Sequence, residues 1–258
     1  MGKIIAIANQ KDGVGKTTTA INLAASLAVM EKRVLLVDAD PQAHATAGLN
    51  ITPETALSHS IYEAMTGQRD IREITLPTEM PGLQLVPSHI NLVSTELEVS
   101  GLSDREFLLQ RALAPVRDEY DFILIDTAPS LGLITVNALT AADSVIIPVQ
   151  PEFYALEGLG KLLQTIRLVQ GKANPDLAID GFLITLYDGR TKVHTQVTGE
   201  LRDYFKDMVF KTIIQQNSRL AEAPAHGKPI VLYDAMSNGT NNYLNLAREL
   251  LDKTDRPE

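Results

Sequence analysis

Between Asn9 and Thr19 the chain reads Asn-Gln-Lys-Asp-Gly-Val-Gly-Lys-Thr-Thr-Thr, directly after an apolar run that begins at Ile4. A short strand, a glycine loop and a helix in that order form a cradle for phosphate. Gly13 and Gly15 let backbone N–H groups converge on phosphate oxygens, with Asp12 and Val14 completing the loop. Lys16 is placed to reach β- and γ-phosphates, the Thr17 hydroxyl to ligate Mg²⁺, and Thr18 to meet an α-phosphate. The strict pattern asks for glycine six positions before Lys16, where Gln10 stands instead. Two acidic segments accompany the loop. Phe122-Ile-Leu-Ile-Asp126 is an apolar strand ending in a carboxylate, the form of an element that orients Mg²⁺ through water. Val37-Asp38-Ala-Asp40-Pro41-Gln42 puts two more carboxylates at a strand's carboxyl end, where open α/β folds bind ligands.

The elements that must position these groups are short β-branched runs alternating with segments of helical period. Strands are expected at Ile4 to Ala8, Val34 to Asp38, Leu83 to Val86, Phe122 to Asp126, Val145 to Val149 and Phe182 to Leu186. Helices are expected at Thr18 to Met30, Asp104 to Tyr120, Leu156 to Val169 and Tyr243 to Leu251. Most of the strands are apolar on both faces, as strands of a parallel sheet covered on both sides must be. The expected fold class is therefore α/β, a doubly wound, mostly parallel sheet with helices on both faces. Ile51 to Pro81 is more polar and turn-rich and reads as an excursion from the sheet. The 258 residues suit a single domain, 1–258, with Asp252 to Glu258 a frayed tail. Cys 0 excludes disulfides, Cys-ligated zinc, iron–sulfur clusters and a thiol nucleophile. No apolar run approaches the ~20 residues of a membrane span, and no signal peptide is visible, so a cytoplasmic protein is expected. A formal net charge of −9 argues against a globally basic nucleic-acid binder but leaves room for a local basic patch. The five histidines show no metal-binding spacing, and there is no Gly-x-Ser-x-Gly elbow for acyl chemistry.

Lys11 followed by Gly13, Gly15, Lys16 and Thr17 resembles the deviant Walker A loop of the P-loop NTPase family that contains partition ATPases, septum-site ATPases and nitrogenase iron protein. Further segments are similar to ParA/Soj partition ATPases over nearly the whole chain: Ala128 to Gly132, Pro148 to Gly158, Tyr187 to Thr191, Arg219 to Pro224 and Gly227 to Ile230. That resemblance implies ATP and Mg²⁺ as cofactors and a slow intrinsic ATPase. It implies Lys11 contacting phosphates across an ATP-sandwich homodimer, Asp40 positioning the attacking water, and Asp38 supporting the Mg²⁺ shell with Thr17 and Asp126. It places Asn217 near adenine and gives Arg190 and Arg219 to non-specific double-stranded DNA. It also implies nucleoid association, no membrane, and a ParB/Spo0J-like partner whose basic N-terminal peptide stimulates hydrolysis. The acidic body suits such a peptide. The cargo, whether chromosome, plasmid or another body, is left open.

Relatives of this kind usually carry Pro-Arg before Asn217, where this chain has Gln215-Gln216. They carry glycine at the position of Asp12. A carboxylate there is expected to cost in two ways, by requiring a backbone conformation that suits glycine and by placing negative charge beside phosphate. Weak dimerisation and weak DNA binding are the expected result. A long N-terminal extension with a helix-turn-helix is absent, so operator binding is not expected. Two other readings share the loop. A septum-site ATPase of the MinD kind needs a C-terminal amphipathic helix with a basic face, which Leu250 to Glu258 lacks. A metabolic enzyme such as dethiobiotin synthetase would turn over rapidly without DNA or a protein partner.

Overall fold

The computed structural model describes residues 2–99 and 101–254. Its strands are β1 (Lys3–Ile7), β2 (Val34–Ala39), β3 (Leu76–Pro77), β4 (Leu83–Val86), β5 (Phe122–Thr127), β6 (Ser144–Val149), β7 (Ala178–Tyr187) and β8 (Val209–Gln215). They form one sheet in the order β3-β4-β2-β5-β1-β6-β7-β8. Every pairing is parallel except that of the two-residue edge strand β3 with β4. Alternation along β1 shows why both faces must be covered. Ile4, Ala6 and Ala8 enter one core, whereas Ile5 and Ile7 enter the other. The first core packs against residues of helices Leu133–Ala141, Ala155–Lys172 and Lys192–Phe205. The second packs against helix α1 (Lys16–Val29) and the helix Asn238–Thr254. The expected doubly wound sheet is the observed one.

Several local expectations are corrected. The single helix expected from Asp104 to Tyr120 is three pieces, a 3₁₀ turn Arg105–Phe107, an α-helix Leu108–Leu113 and a 3₁₀ stretch Ala114–Glu119. Pro115 sits in the first turn of that last stretch and cannot donate the N–H a continuous helix needs. The excursion from Ile51 to Pro81 contains helices Pro53–Ala56, Ile61–Met65 and Ile71–Ile74, and its Ile61, Met65, Ile71 and Ile74 belong to the first core. The final helix runs on to Thr254, so Asp252 to Thr254 are helical and not frayed; residues 255–258 lie outside the described residues. Its Tyr243, Leu246, Ala247 and Leu250 are buried in the second core. No described helix is long and apolar enough to cross a membrane.

Candidate functional site

The parallel register brings the acidic segments together. Asp38 of β2 lies directly beside Asp126 of β5, and Ile7, the last residue of β1, flanks Asp126 on its other side. The loop that leaves β1 then rises over these strand ends. Asn9 pins its start, its amide donating to the Pro148 carbonyl (2.7 Å) and its carbonyl accepting the Lys11 N–H (3.0 Å). Thr185 of β7 pins its middle, donating to the Val14 carbonyl at 2.8 Å. Gly13 (φ 71°) and Gly15 (φ 82°) hold left-handed backbone that side chains disfavour. Gly15 is the N-cap of α1, and no side chain caps that helix. The N-terminal N–H groups are thereby left open to an external acceptor, with the helix dipole favouring an anion.

Lys16, Thr17 and Thr18 form the first turn of α1. Lys16 is only 6% exposed, and its Nζ donates to the Lys11 carbonyl at 3.1 Å. Burial lowers the affinity of Lys16 for its proton, while Asp126, Asp12 and Asp40 act in the opposite direction. Both oxygens of the buried Asp126 lack a hydrogen-bond partner. Burial and then the neighbouring Asp38 push this carboxyl well above the usual range. The Thr17 hydroxyl, which approaches without full hydrogen-bond geometry, and Lys16 partly offset that. Asp38 is different. Its oxygens accept the Asp40 N–H (3.1 Å), the Thr46 N–H (2.8 Å) and the Thr46 hydroxyl (2.7 Å), and burial still raises it to about 6. Asp40 is 5% exposed and accepts the Gln42 N–H at 2.9 Å, so its carboxylate is fixed just beyond β2.

A buried carboxylate with no donors, beside a second buried carboxylate and a threonine hydroxyl, is costly unless a proton or a cation neutralises it. Its oxygens suit a hard ion such as Mg²⁺. The structure thus brings together Lys11, Asp12, Gly13, Val14, Gly15, Lys16, Thr17 and Thr18 with Asp38, Asp40 and Asp126 around one sheet edge. Asn217, Arg190 and Arg219 lie farther along the same edge, beyond the paired ends of β7 and β8. Asn217 caps the helix Ser218–Glu222 by accepting the Arg219 N–H at 2.8 Å.

Asp12 corrects one expectation. Its φ is not positive, so the backbone there does not require glycine. The charge remains. Asp12 is exposed, and its Oδ1 accepts the Gly13 N–H at 2.8 Å, occupying one of the loop's own backbone donors. Four positioning residues escape a reading of spacing alone: Asn9, Thr46, Thr185 and Glu152, the last ion-paired with Lys11. Glu152 sits in the Pro148 to Gly158 segment, but nothing in that segment marks it as a partner of Lys11.

A family model described as an AAA domain matches residues 2–179. The sporulation initiation inhibitor protein Soj of Bacillus subtilis is 53% identical over 250 residues, 97% of this chain and 98% of that protein. The chromosome partitioning protein ParA of Myxococcus xanthus is 53% identical over 258 residues, 100% of this chain and 90% of that protein. The chain belongs to the ParA/Soj family. Among solved structures, a cobyrinic acid a,c-diamide synthase of Mycobacterium smegmatis with bound ADP and magnesium aligns with a TM-score of 0.87 and 36% identity. That alignment covers 99% of this chain and 97% of that one. This ParA/Soj chain accordingly has the P-loop ATPase fold.

Proposed function

We propose that the chain is a slow, Mg²⁺-dependent ATPase that serves as a positioning switch in chromosome or plasmid segregation. ATP joins two subunits, the dimer holds nucleoid DNA without sequence preference, and a ParB/Spo0J-like protein resets it by stimulating hydrolysis through a basic peptide. The observation that carries the reading is the union, at one sheet edge, of an uncapped helix N-terminus with a buried carboxylate that has no partner of its own. The soluble, cytoplasmic setting is part of the same proposal, as is a role for Asn217 and the Gln215-Gln216 turn beside adenine.

The loop amides from Gly13 to Thr18 and the Lys16 ammonium would bind the phosphates and orient the γ-phosphoryl group for in-line attack. Thr17, Asp126 and, behind them, Asp38 would hold Mg²⁺. Bound there, the ion would neutralise charge developing on the β- and γ-phosphates. Asp40 is the carboxylate left to orient the attacking water, since Thr46 already occupies Asp38. Lys11 would leave Glu152 to meet the partner subunit's nucleotide. In that scheme the active site is complete only in the dimer, and slow turnover in the isolated chain is the consequence.

The test is ATP turnover by the chain alone, with DNA, with a Lys/Arg-rich peptide, and with both. The reading expects little hydrolysis alone and the largest rate with DNA and peptide together. Rapid turnover alone, indifferent to both additions, would point to a metabolic enzyme instead.

A further inference from the structure

Both arginines given above to DNA are already bonded to carboxylates of their own chain. Arg190 makes a two-pronged pair with Asp188, Nε to Oδ1 at 2.9 Å and Nη2 to Oδ2 at 2.8 Å. The same carboxylate accepts the Arg190 backbone N–H at 3.0 Å. Arg219 lies between two acids, Nη1 to Glu222 at 2.9 Å and Nε to Asp234 at 3.5 Å. Glu222 is itself fixed by the Tyr233 hydroxyl at 2.9 Å. We propose that Asp188, Glu222 and Asp234 are an internal brake on DNA binding: they occupy the guanidinium edges a phosphate would use and keep Arg190 and Arg219 from forming a basic patch in a single subunit. The inference rests on the proposed DNA-binding role of these arginines.

The chemistry of the pairs supports a brake rather than a lock. A carboxylate and a phosphate oxygen compete for the same parallel N–H donors. The Asp188–Arg190 pair has no net charge, and Arg219 with its two acids carries −1, so neither arginine presents an uncompensated positive charge. Asp188 is held down to about 2 by Arg190 and stays ionised at any ordinary pH, so protonation does not release it. The Arg190 side chain is nonetheless 91% exposed, and both pairs are at the surface, where such bonds are weak and readily exchanged. One subunit offers two braked arginines. A dimer offers four on one body, and linked weak contacts multiply. The carboxylates thereby keep DNA affinity contingent on assembly in a chain whose net charge of −9 already opposes it.

In the opposite role, the acids would hold the guanidinium groups in a DNA-ready pose. The two roles predict effects of opposite sign. The experiment measures binding of labelled random-sequence duplex DNA by fluorescence anisotropy, without nucleotide and with ATP and Mg²⁺, at about 50 and 200 mM salt. It compares the parent chain with Asp188→Asn alone, the triple variant Asp188→Asn/Glu222→Gln/Asp234→Asn, and Arg190→Ala/Arg219→Ala. The amides keep the size of the acids, and thermal melting checks each fold. A brake gives about threefold tighter binding per released arginine, hence roughly tenfold for the triple variant without ATP. It also makes the salt slope steeper by up to about 1 per released arginine. Amide variants that bind DNA no better than the parent, while the alanine variant still loses binding, would overturn the brake and leave the arginines' role standing. An alanine variant that binds like the parent would remove the arginines from DNA binding, and the brake with them.

Discussion

Replacing Asp12 by glycine probes the loop at its most unusual position. Asp12 has no positive φ, so the exchange relieves no backbone strain; its effect must come from charge and from the Gly13 N–H. A phosphate that takes that N–H must displace a carboxylate already bonded to it at 2.8 Å. It must then sit within a few ångströms of the displaced charge. Two unit charges about 4 Å apart repel by about 1 kcal/mol when fully screened by water and about 4 kcal/mol at a protein surface. Asp12 is exposed, so the lower figure is the safer one. In the proposed dimer each Asp12 also faces the partner subunit's nucleotide, and two such repulsions across the interface give about 2 kcal/mol, or about 30-fold in the dimer constant. The new glycine should also cost the monomer about 0.5–1 kcal/mol through unfolded-state entropy. The expected result for Asp12→Gly by light scattering is therefore a dimer in ATP and Mg²⁺ at roughly 30-fold lower concentration than the parent, with a slightly lower melting temperature. Equal dimerisation of the two proteins would show that the Asp12 carboxylate turns away harmlessly, and the electrostatic reasoning at this position would be wrong.

Asp40→Ala should keep ATP binding and slow partner-stimulated hydrolysis by ~100-fold or more, the scale of losing one preorganised catalytic group; turnover at the parental rate would exclude Asp40 from the chemistry. Asp126→Asn removes a buried carboxyl that is costly when ionised, and at high pH it should stabilise the nucleotide-free chain on the order of 2 kcal/mol while abolishing the Mg²⁺-dependent part of its stabilisation by ATP. The same pair sets a pH dependence. A carboxyl raised to about 6 when folded binds more protons than its unfolded counterpart near 3.9, so stability falls as pH rises through that window. Asp126, raised well above its usual range, extends the fall upward, and melting of Asp126→Asn should depend less on pH than that of the parent. Arg190→Ala and Arg219→Ala should each weaken binding to all DNA sequences alike and reduce the salt slope by about 1 per phosphate contact, checked by titration at several salt concentrations. Loss confined to particular sequences would contradict that reading.

The inner strands of the sheet were legible where they are largely apolar, whereas β7 begins at Ala178, four residues before the expected Phe182, across the polar Asp180. Val34 to Asp38, Phe122 to Asp126 and Leu83 to Val86 needed corrections of one residue or none. The edges were not. In β8, Lys211 interrupts the apolar run because that strand has a neighbour on one side only. The helix Leu133–Ala141 escaped for the opposite reason: it is largely buried and shows no polar stripe to set its period. In the loop, the local geometry could be read from spacing, with Gly13 and Gly15 in left-handed backbone and Lys16 and Thr17 in the first turn of α1. Those whose work depends on strands distant in sequence could not. Thr185 reaches the loop from β7, and Thr46 acts only because the chain doubles back onto Asp38. Among the acids of the proposed brake, Asp234 illustrates the same limit, since it meets Arg219 only through the fold.

In the proposed function, ATP converts this chain into a DNA-binding dimer. Co-sedimentation with duplex DNA tests it most directly, using the parent and Asp12→Gly in Mg²⁺ with ATP, with ADP and without nucleotide, at two salt concentrations. Retention on DNA is expected only with ATP, more for Asp12→Gly than for the parent, and less at the higher salt. Retention that is the same in ATP, in ADP and without nucleotide, or absent in both proteins under every condition, would contradict it.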